Sequence, residues 1–196
     1  MDAKMKGMIM SGMMALCLVL GIMAALGNTW LVPEDDDDDM DGGYGLTAIV
    51  MEAESAEDCK LMAAFTDGDC DGTTMTLSLS DMCDASDDDE VCDMATGGLV
   101  GTIGMWAGIV CALMVTLMLV LPMAGIDAMD AMPDMGKMVT SWGAGGLMLL
   151  GWLVWYFMLA DFDGELVLGM SAMMGIGAAL LGLVAAAMDQ FIPSDE

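Results

Sequence analysis

"LVGTIGMWAGIVCALMVTLMLVL", residues 99–121, runs 23 residues without an Asp, Glu, Lys or Arg. A helix rising about 1.5 Å per residue crosses the roughly 30 Å hydrocarbon core of a bilayer in about 20 residues, so this run is long enough to span. Three more runs share its character: Met8 to Val32, Met138 to Ala160 and Leu166 to Met188. With 57% hydrophobic residues and a mean hydropathy of +0.66, the chain belongs to the membrane class before any soluble one.

The runs divide the 196 residues into a tail (1–7), a first span (8–32), an acidic segment (33–97) and a second span (98–121). An inner loop (122–137), a third span (138–160), a turn (161–165), a fourth span (166–188) and a tail (189–196) follow. Short links make successive helices antiparallel neighbours. The fold class read from this is an all-α four-helix membrane bundle carrying a small disulfide-bonded α+β extracellular domain in its first outer loop. Lys4 and Lys6, the apolar run and Ala25-Leu26-Gly27 also fit a signal peptide cut before Asn28. The length of the run and Trp30 at its outer edge favour a retained span.

Cations set the orientation. Lys4, Lys6 and Lys137 fall on one side of a four-span chain and Lys60 on the other, so the positive-inside rule makes both termini cytoplasmic in a cell membrane. Of the 31 acidic residues, 21 lie between Pro33 and Gly97, which makes the first outer loop strongly anionic. The spans contain no ionisable acid or base, which disfavours a proton pump or proton-coupled carrier. Neither His nor Arg occurs. Bis-His haem, imidazole metal centres and the commonest general base are thereby removed, and no phosphate loop or nucleophile–base pair is legible. The chain reads as a non-enzyme without haem or nucleotide, with membrane lipid and either itself or another membrane protein as partners, and no nucleic acid.

Within the acidic loop, Tyr44 to Glu52 and Thr73 to Ser80 alternate like strands. Ser55-Ala-Glu-Asp58 has capping-box spacing ahead of a short helix over "CKLMAAF". The tract "EDDDDDMD" reads as solvated charge. Cys59, Cys70, Cys83 and Cys92 form an even set in an oxidising compartment, so two disulfides are expected, with three pairings open. Cys17 and Cys111 lie inside spans and read as small buried hydrophobes.

"FTDGDCDGTT", residues 65–74, places Asp67, Asp69, Asp71 and Gly72 at the opening spacing of a calcium loop, with Thr73 next. A full EF-hand loop ends in a bidentate Glu, and Ser78 stands there instead. Two readings stand side by side: a weak Ca²⁺ site on Asp67, Asp69, Asp71 and Thr73, or a solvated acidic turn. The 27 methionines include Met114 and Met118, four apart in the second span, a spacing that raises Cu(I) handling. Their spread over every span favours packing.

Small residues recur at helical spacing in two spans: Gly97, Gly101, Gly104 and Gly108, then Gly175, Ala179, Gly182 and Ala186. Such stripes let backbones approach closely in lipid, so they are expected to pack helices. Trp30, Trp152, Trp155, Tyr156 and Phe157 read as an interfacial belt.

Trp30 after the first span, Gly45-Leu46, then Cys59 with Cys70 give the chain a pattern that resembles the claudin and peripheral-myelin-protein group of tetraspan proteins. That group carries Trp, Gly-Leu-Trp and two Cys in a large first outer loop. Here Thr47 replaces the second Trp, the loop holds four Cys, and the group's arginines are absent. The resemblance implies cell-surface contact, lateral assembly or an accessory role in a larger membrane complex. The rival is a cation channel or transport component of several copies, with the acidic loop as its outer vestibule. Polar groups within the spans discriminate the two, and Ser11, Thr116, Thr140, Ser141 and Ser171 are those that stand out.

Overall fold

The computed structural model describes residues 3–33, 42–66, 68–86, 88–122, 125, 133–159 and 166–192. The aspartate tract, Asp67, Asp127, Asp130 and the turn 161–165 lie outside the described residues. In chain order the elements are α1 (Ala3–Leu26), β1 (Leu31–Pro33), β2 (Gly42–Tyr44), β3 (Ala48–Glu52), α2 (Ala56–Thr66) and β4 (Asp69–Asp71). They continue with β5 (Thr74–Ser78), α3 (Leu79–Ser86), α4 (Asp89–Val120), α5 (Asp134–Phe157), β6 (Leu166–Leu168) and α6 (Met170–Phe191). Four helices, α1, α4, α5 and α6, are long and apolar enough to cross a membrane, an architecture compatible with a multi-pass membrane protein.

The chain divides into two compact units. A helical unit holds residues 1–25, 103–152 and 174–196, and a sheet unit holds 26–102 and 153–173.

The sheet unit is built on six antiparallel strands in the order β4-β5-β3-β2-β1-β6. Tyr44 to Glu52, read above as one strand, folds as two: Gly45 donates its N–H to the Ala48 carbonyl at 2.7 Å and turns the chain between β2 and β3. The strand read over Thr73 to Ser80 stops at Ser78, where α3 takes over at Leu79. Two neighbouring strands, β1 and the edge strand β6, come from stretches that hydropathy assigns to spans. β1 takes Leu31 and Val32, and β6 takes Leu166 to Leu168, pairing Leu31 with Leu168 and Val32 with Val167. Three apolar residues show no period, so a hydropathy window cannot separate a short strand from the helix beside it. Gly169 ends β6 because an added Cβ would collide with the Thr29 carbonyl oxygen.

Alternation divides the sheet faces. Met75 and Leu77 of β5 join the buried Cys59 of α2, with Ile49, Met51 and Cys70 packed against them. The neighbouring Thr74, Thr76 and Ser78 point to the opposite face. α2 starts as the capping spacing requires: Ser55 Oγ accepts the Asp58 N–H at 3.1 Å and donates to Asp58 Oδ2 at 2.6 Å. Disulfides Cys59–Cys70 and Cys83–Cys92 resolve the three open pairings in favour of the sequence-local one. Two aromatics read as interfacial are core residues of this unit. Trp30 is fully buried, Trp155 nearly so, and their rings meet edge to face at 5.0 Å. Tyr156 and Phe157 remain exposed, as a belt requires.

Candidate functional site

Phe65 and Thr66 close α2, and from Asp69 onward the calcium-like stretch is a β-hairpin. Asp69, Cys70 and Asp71 form β4 and pair with Thr76, Met75 and Thr74. Gly72, at φ +68°, begins the two-residue turn and takes the left-handed backbone that glycine tolerates. Extended backbone turns alternate side chains to opposite faces. Asp69 and Asp71 are therefore exposed together on one side, and Cys70 points inward to its disulfide partner Cys59. The Asp-x-Asp spacing that resembles a ligand loop is also the spacing of an amphipathic strand. Thr73 is the second turn residue and is half-buried. Among the described residues no three His, Cys, Asp or Glu side chains are grouped as a metal centre would need.

Asp69 lines one wall of a cleft of about 460 Å³. Thr76 and Ser78 continue that wall, and Asp81 and Asp84 of α3 face it. The Cys83–Cys92 bond ties α3 to α4 at this cleft, with a Cα separation of 4.8 Å. Asp88 caps α4 by accepting the Glu90 N–H at 3.1 Å, and Asp89 and Glu90 sit in its first turn, where the helix dipole favours negative charge. The acids here are thus divided between an open cleft and a helix start. Asp71 does not line the cleft.

The small-residue stripes lie buried, except half-buried Gly104. A Cβ on Gly104 would sit 2.7 Å from the Gly151 Cα, and one on Gly108 3.0 Å from the Ala144 carbonyl oxygen. On α6, a Cβ on Gly182 would sit 2.8 Å from the Gly145 nitrogen. α5 thus receives α4 through Gly151 and Ala144, and α6 through Gly145. Sequence reasoning missed this receiving face because "GAGGLMLLG" also reads as ordinary span composition; the repeat of small residues at 144, 145 and 151 was its signal. In the sheet unit, Gly97 lies against Met158, and Gly98, outside the stripe, lies against the Leu46 carbonyl. Leu46 is buried there, beside Gly45. Gly101, Gly175, Ala179 and Ala186 are buried on the same stripes.

Three of the hydroxyls read within the spans are hydrogen-bonded to the protein itself. Thr116 Oγ1 donates to the Ala112 carbonyl at 2.7 Å and Thr140 Oγ1 to the Gly136 carbonyl at 2.8 Å. Ser171 Oγ is hydrogen-bonded to Thr29 Oγ1 at 3.0 Å within the sheet unit. Ser141 Oγ is buried without a hydrogen-bond partner among the described residues. At the other end of the helices, Lys6 Nζ donates to the Ile192 carbonyl at 2.8 Å and the Asp189 carbonyl at 3.0 Å. The Asp189 carboxylate lies 3.7 Å away. The ammonium thereby closes the carboxy-terminal end of α6, where free carbonyls and the helix dipole attract a cation.

Neither a family model nor a curated protein sequence matches this chain.

Proposed function

We propose that the chain is a non-enzymatic multi-pass membrane protein of the structural or interaction type, claudin-like in layout, acting through contact, assembly or an accessory role beside a larger complex. The observation that carries this reading is the fate of the hydroxyls in the spans. Thr116 and Thr140 are satisfied by their own helices, and the stripes bring backbones close enough to exclude side chains between them. A water-filled path needs hydroxyls turned toward it. Close backbone contact is what a rigid platform for an outer domain needs.

The outer domain in this reading is the anionic sheet unit, facing the cell exterior while the termini stay inside. Weak Ca²⁺ binding at Asp69 and Asp71, joined by Asp67 and Thr73, screens its charge. Two such surfaces of the same sign repel at distances within the Debye length, so contact between them is cation-dependent.

The test uses the full chain in lipid vesicles. Protein-bearing vesicles are expected to cluster when millimolar Ca²⁺ is added and to disperse with chelator, with Asp69→Asn/Asp71→Asn raising the Ca²⁺ needed. Clustering that ignores Ca²⁺ would remove the cation from the proposal. Cation flux into the same vesicles, saturable and reduced by that double variant, would replace the contact reading with the channel one.

A further inference from the structure

The α2-covered face of the sheet holds a second hollow, about 250 Å³ in volume. The cross-strand pairs beside it change in kind along the ladder. Ile49 pairs with Leu77, and the next pair on the same face is Met51 with Met75. Directly opposed residues bring their Cβ atoms to within about 4.5–5.5 Å, so the two methionines line the hollow as neighbours. α2 brings a third, Met62. The three methionines thus come from three different elements. Met75 is 1% exposed and lies at the floor, whereas Met62 is 41% exposed and stands at the mouth. Glu52, Glu54 and Asp58, all exposed, complete the lining.

We propose that Met51, Met62 and Met75 form a binding site for a soft monovalent metal ion of the Cu(I) or Ag(I) class. The hollow opens to the surface, so an ion can reach the methionines from outside. Thioether sulfur is a soft, neutral donor that selects such ions, and the unbranched methionine side chain reorients to close on one. Calcium and magnesium require oxygen ligands, so the floor rejects them. The carboxylates raise the local cation concentration at the mouth. No thiol competes locally, because Cys59 and Cys70 are bonded to each other. The free thiols Cys17 and Cys111 belong to α1 and α4. Met75 belongs to the same hairpin as Asp69, but strand alternation puts it on the opposite face from Asp69 and Asp71, and the site does not rest on the contact reading.

The test is an Ag(I) titration of the full chain in detergent micelles, in a Cys17→Ala/Cys111→Ala background that removes thiol binding. Competition with a chelator of known silver affinity reads the constant, and X-ray absorption at the silver edge reads the ligand atoms. One ion per chain with sulfur neighbours is expected, bound at least about tenfold more weakly once Met62→Leu removes a donor. Met51→Leu/Met75→Leu should abolish it. Leucine conserves volume, so these variants are expected to keep their fold, and Met62, at the exposed mouth, is the position whose replacement disturbs core packing least. Equal affinity in Met62→Leu and its parent, or loss of binding on Met114→Leu/Met118→Leu instead, overturns the proposal. Displacement of Ag(I) by millimolar Ca²⁺ does so as well.

Discussion

The seam where Gly104 faces Gly151 and the layer where Cys59 is bonded to Cys70 hold their neighbours by unlike means. Lipid tails are as apolar as leucine, so burying side chains between helices brings little net drive, and the helical unit depends on shape. At Gly104, Gly145 and Gly182 a glycine lies against backbone, with nothing to spare for a methyl group. The sheet unit has short strands, an acid-rich surface and buried side chains divided between the Trp30–Trp155 pair and a small cluster of Cys59, Met75 and Leu77. Two covalent links and a ladder of backbone hydrogen bonds supplement that burial. One region is therefore most sensitive to added volume, the other to removed links.

Volume should produce the largest effect. A Cβ on Gly145 would meet the Ala179 carbonyl and the Leu183 nitrogen, both backbone atoms that cannot rotate away. Gly145→Ala should destabilise the helical unit by about 3 kcal/mol, read as a lowered unfolding midpoint in mild detergent. Gly146, one residue on, has open space where its Cβ would stand. Gly146→Ala should be neutral or stabilise by up to about 1 kcal/mol. Equal losses at both positions would mean that helix composition, not the seam, holds the bundle.

Next come the links. Cys59→Ala/Cys70→Ala opens a loop of sequence separation 11 and should cost roughly 2.5–3 kcal/mol by the chain-entropy account. The loss should appear in hydrogen exchange of β3, β4 and β5, while the exchange of α1, α5 and α6 stays at parent rates. Uniform loss of protection across both units would erase the contrast between them.

A smaller effect, about 1–2 kcal/mol, is expected from Lys6→Met, which leaves two carbonyls of α6 without their ammonium donor. Faster exchange confined to the last turn of α6 would mark it as a capping loss. Smallest is Ser55→Ala, about 1 kcal/mol, from the loss of the α2 cap, measured as a shifted thermal midpoint of the sheet unit. No shift there would show that disulfide and sheet already hold α2 in place.

Legibility in the sequence followed the length of the pattern. The four long apolar helices, the Ser55 cap and the stripe positions were readable because each rests on several residues at a set spacing. β1 and β6 were hidden in the spans because three apolar residues carry no period. The hairpin at Asp69–Asp71 left two readings open in the sequence, a weak Ca²⁺ site and a solvated acidic turn, because alternate aspartates serve both a coordinating loop and the wet face of a strand. Gly145 and Gly151 were invisible as a receiving face until α4 and α6 lay against them.

By itself the sequence determined what local chemistry and periodicity can encode: four apolar helices, an even set of cysteines outside the uncharged runs, and the sites where backbones approach. Only the tertiary structure decided which partners these features meet. It joined Cys59 to Cys70, placed Leu166–Leu168 beside β1, and drew Met51, Met62 and Met75 into one hollow. Pairing between distant residues depends on where the chain returns, and no window of neighbouring residues contains that return.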